Sequence, residues 1–213
     1  MSEQDLLKGT KIIDISSPLY NEMDKYPSLE GFKLQWIRTI SNEDRANMSR
    51  ITMESHVGTH VDAPLHFIKN GKSIDQMPLQ NLLGIAEVIE IPYPCTVTKE
   101  FLEKYYKGNR ILLFKFGKNR YNRNFDYFDL TATDFFIRHG VKALGTDNFS
   151  VDSKNTKYKI HEALLKNEVW IVEGLNFENV TSGVFEFICL PLLIKNAEGS
   201  PARAILLEKE NAN

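Results

Sequence analysis

Four side chains able to bind a divalent cation fall within eleven residues: His56, His60, Asp62 and His66, in the stretch Ser55-His-Val-Gly-Thr-His-Val-Asp-Ala-Pro-Leu-His-Phe67. The whole chain has only five histidines. All four of these side chains occupy even-numbered positions. In an extended backbone, side chains two apart point the same way, so His60 and Asp62 are expected on one face. His56 and His66 can join them if the chain bends at Gly58 and Pro64. A helix would also bring His56 and His60 together, but a glycine and a proline this close both oppose one. The segment therefore reads as strand, tight turn and loop. Two imidazoles and a carboxylate on one surface are the ligand set of a hydrolytic zinc or manganese site, and the third histidine is left over as a candidate acid/base.

Such a cluster needs a rigid frame, and the composition allows one. The chain has 213 residues, 42% hydrophobic and 25% charged, with net charge −2. A single domain of this size buries roughly 70% of its unfolded surface. The balanced charge offers no footprint for nucleic acid or an anionic membrane. The two cysteines, Cys95 and Cys189, read as reduced thiols. The acidic, polar start Met-Ser-Glu-Gln-Asp is unlike a secretory leader, and the apolar run Phe185–Ile194 is broken by Glu186 and Pro191. The expectation is a soluble cytoplasmic protein.

The elements alternate irregularly. Strands are expected at 11–15, 32–40, 48–53, 86–91, 110–116, 141–145, 169–172, 185–192 and 202–207. The second and third should pair around a polar turn, with the third leading into the histidine segment. Thr98 can cap a helix ending at Gly108, Thr131 can start one ending at Gly140, and 157–167 reads as a third. Ser73 to Gln76 has capping-box spacing before Pro78, so any helix there is short. The stretch from Gly117 to Asp129, with Lys118, Asn119, Arg120 and Arg123, reads as a loop near a substrate entrance or subunit contact. Gly199-Ser200-Pro201 reads as a turn. The fold class is α/β with the sheet dominant.

Two further residues stand out locally. His161 shares a helical stripe with Leu164 and Leu165, the pattern of a packed core histidine. Glu173 ends the apolar strand 169–172, where a carboxylate is costly unless paired or metal-bound. There is no phosphate loop, nucleophile elbow or Cys-x-x-Cys pair.

The histidine stretch resembles the His-x-Gly-Thr-His-x-Asp-x-Pro-x-His signature of the cyclase family, which includes bacterial kynurenine formamidases (arylformamidases) and isatin hydrolases. Asp14-Ile-Ser16 with Pro18-Leu19, Gly145-Thr-Asp147 with Ser150 and Asp152, His161-Glu-Ala-Leu-Leu165, Ile171-Val-Glu173-Gly-Leu175 and Gly199-Ser-Pro-Ala-Arg203-Ala extend the similarity along nearly the whole chain. The resemblance implies a swivelling β/β/α domain spanning residues 1–213, assembled as a homo-oligomer, dimer or tetramer. It implies two divalent ions, zinc or manganese. His56, His60 and Asp62 would hold the first, and Asp62 and Glu173 would bridge to a second held also by His161. His66 would donate and accept the proton.

The implied activity is hydrolysis of a small aromatic amide, N-formylkynurenine to kynurenine and formate in tryptophan catabolism. The alternatives are another cyclic or linear amide, as in isatin hydrolases, or a metal-binding relative without turnover. One departure bears on the choice. Kynurenine formamidases carry Trp-Pro-Gly-Asp in an early loop where this chain reads Tyr26-Pro27-Ser28-Leu29. Tyr26 is then the residue expected to stack on the substrate ring.

Overall fold

A computed structural model of the chain describes residues 8–42, 44–117, 121, 122 and 124–209. The acidic N-terminal start, Lys118, Asn119, Arg120 and Arg123 lie outside the described residues. Ten strands run in chain order: β1 (Thr10–Asp14), β2 (Lys33–Arg38), β3 (Met48–Thr52), β4 (His60–Asp62), β5 (Leu83–Glu90), β6 (Ile111–Lys115), β7 (Ala143–Thr146), β8 (Trp170–Glu173), β9 (Gly183–Pro191) and β10 (Gly199–Lys209). Three α-helices, α1 (Lys99–Tyr105), α2 (Leu130–Arg138) and α3 (Lys159–Lys166), sit between them.

Eight strands form one sheet in the order β1-β10-β4-β8-β7-β6-β5-β9, and a further β10–β9 pairing closes it on itself. β5, β6, β7 and β8 run parallel, which requires crossovers, and α1 to α3 fall in those connections. β2 and β3 pair only with each other, as their alternation predicts.

Parallel strands bear apolar residues on both faces when both are covered. In β6, Ile111 and Leu113 join an interior cluster with Val61, Trp170, Val172 and Phe187. Leu112 and Phe114 join a second cluster with helix residues Leu102, Phe136, Ile160 and Leu164. The uninterrupted run Ile-Leu-Leu-Phe follows from that double burial.

Two details correct the sequence reading. Gly199-Ser200-Pro201 is not a turn but the start of β10, paired with Asp62, Val61 and His60 of β4. The Pro201 carbonyl accepts from Leu192 N just past the end of β9, so its missing N–H faces that strand end and costs no central ladder bond. Thr131 does not begin α2; Asp129 is the N-cap and accepts from Ala132 N at 2.9 Å. A carboxylate is the better cap because it meets both the open N–H groups and the helix dipole.

Gly174 follows β8 with φ +68°, and a Cβ there would lie 2.3 Å from the Gly58 carbonyl oxygen. Its own carbonyl accepts from Ser17 Oγ and Thr59 Oγ1, both at 2.7 Å. This close approach ties β8 to the loop before β4. Gly174→Ala should therefore cost more than about 3 kcal/mol. Gly140→Ala, at the same φ of +68° with nothing within 4 Å, should cost about 1 kcal/mol. Urea unfolding of both variants checks this; equal losses would contradict it.

Candidate metal centre

Alternation along two neighbouring strands builds the site. Val61 of β4 and Val172 of β8 point into the closed sheet. Their neighbours His60, Asp62 and Glu173 therefore face outward, on the side where Ile171 packs beneath α3. His60 lies directly opposite Glu173 in the antiparallel register. Just before β4, Gly58 at φ +69° turns the chain so that His56 comes back over the strand. Just after it, Pro64–His66 forms a single 3-10 turn that carries His66 round to the same side. α3 supplies the last member through His161, on the buried stripe with Leu164 and Leu165.

The six side chains meet in one place. His56 Nδ1 lies 2.8 Å from Asp62 Oδ1, and His60 Nε2 lies 3.4 Å from the same oxygen. His161 Nε2 is 3.4 Å from Asp62 Oδ2 and 3.2 Å from Glu173 Oε1, while His60 Nε2 is 3.5 Å from Glu173 Oε2. Two metal-competent groups result, His56-Asp62-His66 and His60-Asp62-Glu173, and both use Asp62. The His56 and His66 rings stack at 4.0 Å. His66 is thus as close to the cluster as a ligand would be, nearer than its place beyond Pro64 suggests.

Buried charge dictates the electrostatics. Asp62 is 0% exposed, and Glu173 and His161 are nearly as enclosed. Burial opposes the charge of Asp62, yet the imidazoles of His161 and His56 beside it hold it well below the usual carboxylate range. Glu173 is pushed up by burial and by Asp62 but ends lowered, through His161 and His60. His161 is raised well above an ordinary imidazole: burial works against it, and bonds to Asp152, Asp62 and Glu173 outweigh burial. His66 differs. Burial lowers it to about 4, and the attraction of Asp62 does not compensate for the neighbouring His56 and His161.

Two of the three buried side-chain polar atoms without a hydrogen-bond partner among the described residues lie here, His56 Nε2 and Asp62 Oδ2. An unsatisfied carboxylate oxygen at zero exposure is costly. Two close carboxylates among four imidazoles suit a divalent cation, which would replace the protons that the imidazoles otherwise carry.

The sequence names Asp152 only within a family-like motif and Gly58 only as a bend; their orienting contacts, and Glu198, come from the fold. His161 Nδ1 donates to Asp152 Oδ2 at 2.6 Å, and the same carboxylate accepts the backbone N–H of Ile160 and His161. His60 Nδ1 donates to the Gly58 carbonyl at 2.9 Å. Glu198 Oε1 contacts His56 Nε2 at 3.3 Å and accepts from Ser55 Oγ. Each ring is thereby turned to present its other nitrogen to Asp62. No periodicity links Asp152 to His161 nine positions on, so only the fold shows the pair.

A cleft of about 350 Å³ opens above the cluster, with His56, His66, His161 and Glu173 in its wall. Tyr26, Phe67, Phe149 and Tyr158 bring aromatic rings to it. Tyr26, the residue expected to stack on a substrate ring, is thus one of four aromatic residues lining the cleft.

Residues 13–153 match the family model described as "Putative cyclase". The chain belongs to the cyclase family. It is 31% identical to the kynurenine formamidase of Bacillus anthracis over 206 residues, covering 94% of this chain and 99% of that one. The Bacillus cytotoxicus kynurenine formamidase is 30% identical with the same coverage. Among solved structures, a potential metal-dependent hydrolase with cyclase activity superposes with TM-score 0.80 at 25% identity, covering 94% of this chain and 99% of that one. Isatin hydrolase A from Labrenzia aggregata gives TM-score 0.77 at 20% identity, covering 95% of each chain, a likeness of fold.

Two outcomes are expected. Asp152→Asn should weaken zinc or manganese binding about 10- to 100-fold, measured by competition with a chelating dye; an unchanged affinity would contradict the orienting role. In the metal-free protein, the His66 imidazole should titrate near pH 4, followed by proton–nitrogen NMR; a midpoint at or above 6.5 would contradict it.

Proposed function

We propose that this cyclase-family chain is a metal-dependent arylformamidase that hydrolyses N-formylkynurenine to kynurenine and formate. The observation that carries the reading is the approach of His56, His60 and His161 to Asp62 and Glu173 beneath an aromatic-lined cleft, together with the kynurenine formamidase relatives that span almost the whole chain.

In this reading His56, His60 and Asp62 would hold one divalent ion, and Asp62, Glu173 and His161 would hold a second. The chemistry of the donors suits zinc first and manganese next. Bound there, such ions supply Lewis acidity that polarises a carbonyl and eases deprotonation of water. Tyr26 stacks on the substrate ring and orients the formamide toward the cluster. His66 takes up the proton that the attacking water releases. It then delivers that proton to the departing aryl nitrogen. An aryl amine is a better leaving group than an alkyl amine, so this one imidazole can serve as both base and acid.

The wider setting follows from the same chain. We read residues 1–213 as one catalytic domain. Both cysteines are free thiols, which supports a cytoplasmic site of action. No helix among the described residues is long and apolar enough to cross a membrane. Trp36, Ile40 and Ile51 on or beside the separate β2–β3 ribbon are each more than half exposed, which supports assembly as a homo-oligomer.

His66→Ala should retain the metal content of the wild type while losing about 10²- to 10⁴-fold in kcat/KM for N-formylkynurenine. Elemental analysis and the hydrolysis assay check both halves. Loss of metal from this variant would make His66 a ligand, as its place in the His56-Asp62-His66 group allows, and would overturn the proton-transfer role.

A further inference from the structure

The entry to α3 is built against local preference at one residue. Tyr158 is the N-cap, with φ +69°, and its side chain forms no capping hydrogen bond. Lys157 before it is also left-handed, at φ +51°. A bulky residue in this region is a genuine outlier, and such strain persists only where the surroundings enforce it. Glycine or asparagine would relieve the backbone and make an equal or better cap. The helix does not depend on Tyr158 for its first N–H groups, because Asp152 receives those of Ile160 and His161.

Burial does not explain the tyrosine either. Tyr158 is 52% exposed and lines the cleft. Its described ring contact is with Phe67, at 5.5 Å between centroids, and Phe67 in turn stacks on His161 at 4.8 Å. Phe67 and Tyr158 thus make a short aromatic wall running from the candidate metal ligand His161 to solvent. Backbone, cap and exposure all argue against tyrosine as a stability choice, and all three leave its face available to a ligand.

We propose that Tyr158 is a specificity-determining residue that, with Phe67, receives the aryl ring of the substrate and selects a planar aromatic amide over a saturated one. This deepens the arylformamidase reading and rests on it for the identity of the reaction. Tyr26 and Tyr158 both line the cleft that also has His56, His66 and His161 in its wall, so a ring received there lies beside the histidine cluster. Stacking rewards flat π surfaces, whereas general burial would reward any ring of similar size.

Equilibrium binding to the metal-loaded protein tests the proposal without requiring turnover. The probes are acetophenone and its ring-saturated counterpart, cyclohexyl methyl ketone, both uncharged, measured by titration calorimetry on the wild type, Tyr158→Gly and Tyr158→Asn. The expected result is about a three- to tenfold loss of affinity for the aromatic probe in both variants. Binding of the saturated probe should not change, and the melting temperature should rise as the backbone strain is released. Two variants guard against misfolding of either. Equal loss for both probes, no loss for either, or a wild type that binds neither probe would overturn the proposal. N-formylkynurenine hydrolysis is run in parallel on the wild type. Absent hydrolysis with intact discrimination between the probes would sink the formamidase reading and leave the Tyr158 assignment standing.

Discussion

One carboxylate sets the terms for the rest of the molecule. Asp62 is wholly enclosed, and an isolated ionised carboxylate in such a place is prohibitively expensive. Its two oxygens are approached from opposite sides, Oδ1 by His56 and His60 and Oδ2 by His161. Every positively inclined group in the cluster is therefore positioned with respect to this residue. The strand that carries Asp62 is only three residues long. It is kept straight by antiparallel partners on both sides, β10 and β8. The closed sheet can be understood as the frame that makes one buried charge tolerable.

That constraint separates two kinds of imidazole. His161, hydrogen-bonded to Asp152 and facing Asp62 and Glu173, is held strongly basic by acidic neighbours. His66 lacks such partners and sits among other imidazoles, so burial drives it the other way. Two histidines roughly 6 Å apart between ring centroids thus acquire opposite protonation preferences from their surroundings alone. In the proposed reading, one residue type supplies both the ligands and the proton carrier.

The local part of this arrangement was legible in the sequence. Period-two spacing put His60 and Asp62 on one face, and Gly58 and Pro64 marked the bends that bring His56 and His66 to it. The core strands announced themselves as apolar runs, and the β2–β3 ribbon as alternation. His161 was ambiguous, because a helical stripe shared with Leu164 and Leu165 fits packing as well as ligation. Only the resemblance to the cyclase family separated the two. Asp152, Glu198 and Tyr158 were not visible as members of a site. Their partners lie across the fold, and short-range periodicity carries no record of such contacts. Gly199 to Pro201 was misread because glycine, serine and proline signal a turn locally, whereas here they form the strand end that flanks Asp62.

The proposed centre stands or falls on Asp62 as the group shared between two cations. Metal content by elemental analysis of wild-type protein and Asp62→Asn, each saturated with zinc and then freed of excess, addresses it directly. Close to two equivalents per chain in the wild type, and loss of both in the variant with the fold retained by circular dichroism, is the predicted result. A single equivalent in the wild type, or a variant that keeps its full complement, would contradict the shared-carboxylate centre.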